Sequence, residues 1–139
     1  MKATANKPVM QISKQLAIFL DNRPGMLAEV CDALAEQDIN ILAMTTSDTV
    51  DHAVIRLVVS DPRRAMLMLE ERGTLVVEDD VLSIEADNQL GTLATISRRL
   101  ARAKVNIEYC YCASSPDDHR GLLIMRTSNA AKALRALKK

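Results

Sequence analysis

The stretch Asp21–Ile41, DNRPGMLAEVCDALAEQDINI, decides the fold, because the chain carries a second version of it at Asp87–Ile107, DNQLGTLATISRRLARAKVNI. Sliding the sequence on itself by 91 − 25 = 66 positions lays Gly25 on Gly91. It also lays Asp21-Asn22 on Asp87-Asn88, Leu34-Ala35 on Leu100-Ala101 and Asn40-Ile41 on Asn106-Ile107. Further along, the shift becomes 128 − 60 = 68, with Ser60 on Ser128, Ala65 on Ala133 and Leu69 on Leu137. The two added residues fall in SSPDDHRG, Ser114–Gly121, whose Pro, Asp and Gly mark a turn, where insertions are tolerated. A repeat of this length means one supersecondary unit built twice.

Outward from that stretch, the first copy reads as strand, helix, two strands, helix, strand. KQLAIFL before it is an apolar run of strand length, while Leu27, Val30, Cys31 and Leu34 recur at helical spacing, predicting a helix from about Gly25 to Gln37. INILAM and HAVIRLVV flank a polar turn and predict a hairpin. Asp61-Pro62 offers an N-cap and a first-turn proline for a second helix, which runs to about Arg72 and stops at Gly73. TLVVE closes the unit.

The order βαββαβ is that of a ferredoxin-like α+β unit, with two helices on one face of a four-stranded antiparallel sheet. The second copy repeats it as VLSIEA, a helix over Thr92–Ala103, VNIEYCYCA, GLLIMRT and a helix over Asn129–Lys138. No final strand follows that helix. Two units are therefore expected, 12–79 and 80–139, the second with an uncovered edge beside VLSIEA that something else must shield.

The composition narrows the function. The chain has 139 residues, 48% of them hydrophobic, enough for packed cores. Lys plus Arg and Asp plus Glu are both 18 and aromatics are 2%, so neither a basic footprint nor a stacking platform for nucleic acid is visible. No apolar run suits a signal peptide or a membrane helix. Three cysteines without a spaced framework fit a reducing compartment, so a cytoplasmic protein is expected.

Chemistry concentrates at the strand-to-helix loop. A helix N-terminus leaves backbone N–H groups without internal partners and carries about half a positive charge, which suits an anion. Gly25 lets a ligand approach the backbone, and Pro24 stiffens the turn by fixing φ. Asn22 and Asn40 each bring a donor and an acceptor. The expectation is a zwitterion seat, with a carboxylate on the N–H groups of Gly25, Met26 and Leu27 and an ammonium on an amide or carbonyl oxygen. The blander alternative is that Pro-Gly only makes the turn, Asn22 caps the helix and Asn40 satisfies local backbone.

The same residues closely resemble the signature of ACT domains, small ligand-sensing βαββαβ modules, and the resemblance runs from about Lys14 to Lys138. It implies binding of amino acids or related metabolites, usually at interfaces between neighbouring domains; the exposed sheet edges and the missing last strand separately point to a homodimer, and neither a metal nor a cofactor is expected. Carried onto this chain, it adds Asn88, Gly91, Thr92 and Asn106 of the second copy to Asn22, Arg23, Pro24, Gly25, Met26, Leu27 and Asn40 of the first. The second copy departs at Gln89-Leu90, losing the charge and the fixed φ of Arg23-Pro24. Asp38 and Lys104 stand where the family commonly has glycine.

Rival functions on this topology are weaker. An acylphosphatase-like site would centre on Arg23, yet Pro24 removes an N–H where a phosphate needs several. Cys110 and Cys112 share one side of a strand, but two ligands without a recruited histidine argue for ordinary buried or half-buried thiols. Tyr109 and Tyr111 face the other side. Arg98, Arg99 and Arg102 read as a solvated helix face. No acid–base or nucleophile–base pair is drawn by spacing, so a non-enzymatic sensor is expected, with an ACT-like interaction scaffold lacking a ligand as the alternative.

Overall fold

The structure, a computed structural model, describes residues 8–48, 52–87, 90–113 and 120–139. Its elements are β1 (Val9–Asp21), α1 (Met26–Glu36), β2 (Ile41–Asp48), β3 (His52–Val59), α2 (Pro62–Glu71), β4 (Leu75–Asp87), α3 (Thr92–Arg102), β5 (Ile107–Ala113), β6 (Arg120–Thr127) and α4 (Ala130–Lys138). They form two compact units. One is Lys14–Asp79; the other joins the N-terminal residues through Ser13 to Asp80–Lys139.

Each unit is a four-stranded antiparallel sheet carrying two helices. In the first, the strand order is β2-β3-β1-β4, using the C-terminal part of β1 and the N-terminal part of β4. In the second it is β1-β4-β6-β5, using the other parts of the same two strands. The question of the missing final strand is thereby answered. Residues 9–13 of β1 lie beside β4 in the second unit, where Met10 packs against the core and the Ser83 hydroxyl donates to Ser13 Oγ at 2.8 Å.

The repeat extends further back than the sequence signature. Met10 and Val76 are 76 − 10 = 66 positions apart, and each packs on the core of the unit it completes. The chain is thus two copies of a long strand followed by αββα. The first part of each long strand serves as the fourth strand of the unit built on the other copy.

The helices form where the pattern predicts, and their boundaries follow from named residues. α1 buries Val30, Ala33 and Leu34, and α3 buries Ile96 and Leu100. α2 and α4 bury Ala65 with Leu69 and Ala133 with Leu137, where the small alanine lets the helix lie close to the sheet. Burying each leucine stabilises its unit by about 1.5–3 kcal/mol over leaving it in water. Three helices end in a Schellman pair of hydrogen bonds, with Ile39 N–H on Leu34 O, Thr74 N–H on Leu69 O and Val105 N–H on Leu100 O. That ending needs positive φ at the residue before the donor. Gly73 adopts it freely at φ 80°, whereas Asp38 (56°) and Lys104 (59°) adopt it without glycine's ease.

Two readings of surface residues are corrected. Cys110 and Cys112 are exposed on β5, the edge strand of the sheet. Arg99 is half-buried and not simply solvated: its guanidinium donates to Ala136 O at 3.0 Å and to Lys139 O, closing the carbonyl end of α4. No helix among the described residues is long and apolar enough to cross a membrane.

Candidate functional site: the strand-to-helix loops

At the end of β1 the backbone turns sharply. Arg23 N–H donates to Asp21 O at 3.0 Å, Met26 N–H reaches Arg23 O at 3.4 Å, and Gly25 takes φ 89°, ψ −14°. Gly25 is the N-cap of α1, its carbonyl accepting from Glu29 N–H at 3.0 Å. In the second unit Gly91 does the same for α3 at φ 87°, its carbonyl accepting from Thr95 N–H and the Thr95 hydroxyl, both at 3.0 Å.

Neither N-cap glycine has a side chain with which to cap its helix. The contrast with the other two is direct: Asp61 accepts from Arg64 N–H at 3.2 Å to cap α2, and Asn129 accepts from Lys132 N–H at 3.1 Å to cap α4. Glycine's role at 25 and 91 is torsional. A Cβ built on either meets nothing within 4 Å, so the constraint is left-handed φ, not space.

The expected site residues separate into three groups. Asn22, Arg23, Pro24, Gly25 and Leu27 are exposed around the first loop, where Arg23 lies 3.9 Å from the Asp21 carboxylate and Asn22 has contacts of its own. Gly91 and Thr92 open α3 in the second loop, while Asn88 and its neighbour Gln89 lie outside the described residues. Asn40 and Asn106 are not at these loops. Asp21 pairs with His52 and Ile41 with Val59, so seven residues of β3 separate the Gly25 end from the Asn40 end, roughly 23 Å at 3.3 Å per residue.

Within a unit, then, the two asparagines of the expected zwitterion seat stand at opposite ends of the sheet. The main chain at Asn40 and at Asn106 is engaged with a serine. Asn40 N–H donates to Ser60 Oγ at 2.9 Å and Ser60 N–H returns a bond to Asn40 O at 2.9 Å. Asn106 and Ser128 repeat the exchange at 3.1 and 2.9 Å.

A hollow adjoins the first helix of each unit, and the two differ in chemistry. In the first unit a volume of about 400 Å³ lies between the start of α1 and the end of α2, with Asp21, Glu29, Arg72 and Thr74 around Met26 and Leu69. In the second unit about 140 Å³ lies between α3 and the strands, lined by Thr92, Leu93, Ile96 and Cys112. Its one charged lining residue, Asp87, is engaged with Arg120 at 3.2 Å. Of the expected residues, Met26 reaches one hollow and Thr92 the other. Glu29 and Arg72 were missed, although the βαββαβ order itself brings the β1–α1 and α2–β4 connections to one end.

No group of three or more His, Cys, Asp or Glu suited to a metal is found among the described residues. The Arg23 guanidinium stands exposed beside its neighbour's carboxylate. The paired glycine loops now bear on kinship, since a family described as ACT domain pair matches residues 10–138. The chain belongs to this family.

Solved structures agree with the ACT domain pair. Protein BT0572 from Bacteroides thetaiotaomicron is 34% identical, with a TM-score of 0.86 over 93% of this chain and 88% of that one. The ligand-free regulatory subunit of aspartate kinase from Thermus thermophilus is 21% identical, with a TM-score of 0.71 over 97% and 95%. The corresponding subunit from Thermus flavus is also 21% identical, with a TM-score of 0.62 over 98% and 97%. At 21% the likeness is one of fold. Comparison with curated proteins finds no match.

Proposed function

We propose that this ACT domain pair is a regulatory module that binds a free amino acid or a closely related small metabolite. In this reading it acts as a homodimer, with the ligand seated at the strand-to-helix loops where domains meet. The observation that carries the reading is the contrast among the four helices: α2 and α4 open on a capping side chain, whereas α1 and α3 open on a left-handed glycine with no side-chain cap. A helix N-terminus favours an anion such as a carboxylate on its first-turn N–H groups, of which Met26 N–H also reaches Arg23 O. Asn22, Arg23 and Pro24 border this seat in the first unit, and Thr92 borders it in the second.

The separation of Asn40 and Asn106 from the loops of their own units changes how they take part. They serve as ligand contacts only from a neighbouring domain, which suits a site completed by assembly. A ligand touching two domains binds the docked arrangement better than the free one, and that difference in affinity is what shifts an equilibrium.

A thermal-shift screen of the purified chain against the twenty amino acids tests the reading. A ligand present at about 100 times its dissociation constant adds roughly 2.7 kcal/mol, which raises the melting temperature by several degrees. If none of the twenty raises it, the sensor reading fails and the interaction scaffold takes its place.

A further inference from the structure

The geometry points to Cys110 and Cys112 as a two-thiolate seat for a soft, d¹⁰ monovalent metal ion such as Cu(I), on the outer strand of the second unit. The register fixes their direction. Cys110 lies opposite Met125 and Cys112 opposite Leu123, and cross-strand partners project to one face. Met125 and Leu123 are buried in the core beneath the helices. Both thiols therefore stand on the helix-side face of the edge strand, and both are free and exposed.

The spacing selects the chemistry. Residues i and i+2 on a strand have Cα atoms about 6.6 Å apart, with side chains projecting in parallel. A disulfide needs Cβ atoms about 3.8 Å apart, so the pair does not close on itself without distorting the strand. An ion held linearly by two sulfurs, at bonds near the roughly 2.3 Å of a zinc–thiolate bond, needs the sulfurs only about 4.6 Å apart. Rotation about the two Cα–Cβ bonds covers that difference.

Among the described residues no third His, Cys, Asp or Glu completes a cluster with the two thiols, so the site is argued from two sulfur donors. Soft thiolates prefer Cu(I), which accepts two ligands. Binding releases two thiol protons to solvent and forms an anionic S–Cu–S bridge. No electron changes hands, because the ion arrives as Cu(I). Cys112 also lines the hollow beside α3, so the ion would stand at the rim of that hollow.

The test is an anaerobic titration of the whole chain with Cu(I) against a chromophoric Cu(I) chelator, with size exclusion run on the loaded protein. The expected result is one ion per chain with no change in apparent mass. Cys110→Ser and Cys112→Ser should each weaken binding about 100-fold or more, the order of gain that a second tethered donor supplies. Cys31→Ser, in α1 of the first unit, should change nothing. Unchanged affinity in either single variant, or an ion held only between two chains, overturns the proposal. Serine at these exposed positions removes one soft donor and nothing from the core, so loss of binding reports on the thiol itself.

Discussion

Val59 closes the core of the first unit with a buried isopropyl group, while its counterpart 127 − 59 = 68 positions on, Thr127, places a buried hydroxyl in the second. Among the described residues that hydroxyl has no hydrogen-bond partner. The hollows diverge as well, one rimmed by carboxylates and a guanidinium, the other largely apolar. Yet Gly25 and Gly91 agree in φ to within a few degrees, and Asp38 and Lys104 share a left-handed torsion despite opposite charge. Between the copies the backbone turns have been held while the side chains around them have drifted. Torsions carry the common fold, and side chains carry whatever the units do differently.

The comparison breaks most visibly in the cores. Leu34 and Leu100 are both fully buried and occupy equivalent helix positions. Leu34→Ala and Leu100→Ala should each cost about 2–5 kcal/mol of unfolding free energy in urea melts, the range for emptying a leucine site. Hydrogen exchange should locate each loss in the unit that carries the substitution. Equal loss of protection in both units from either variant would show that they do not respond as separate bodies.

A smaller effect belongs to the loops. Gly25→Val and Gly91→Val force a β-branched residue to φ near +88°, at a strain of about 1–3 kcal/mol each. The two variants should lower the melting temperature by similar amounts, since neither Cβ meets a neighbour. A cost at one position only would mean that the two loops are not held alike.

The smallest effect has the opposite sign. Thr127→Val restores the first unit's solution and removes the cost of an unpaired buried hydroxyl, which should raise stability by about 1 kcal/mol. The reverse change, Val59→Thr, should lower it by a similar amount. Matched, opposite shifts in the urea midpoint would show that the two cores differ at this position by that single group.

Much of this architecture was legible in the sequence because it is local. Helical spacing named Leu34 and Leu100, Asp61-Pro62 announced α2, and the absence of glycine at 38 and 104 foretold two strained helix exits. What was not legible is non-local. The pair Asp79-Asp80 is all that divides TLVVE from VLSIEA, the two strands expected of separate units, yet β4 passes straight through it. MQIS before Lys14 has too little apolar character to announce a strand on its own. Register also lies outside any local pattern, which is why Asn40 was grouped with Gly25 when a whole strand length divides them. The exposure of Cys110 and Cys112 depends on β5 being outermost, a property of strand order alone.

The boundary between the compact units falls at Asp79/Asp80, inside a continuous 13-residue strand. There is consequently no hinge peptide at which to divide the protein. A fragment cut at that boundary, by a protease or by a cloning decision, takes residues 9–13 away from the second unit, which they complete, while the first unit, Lys14–Asp79, keeps all its strand segments.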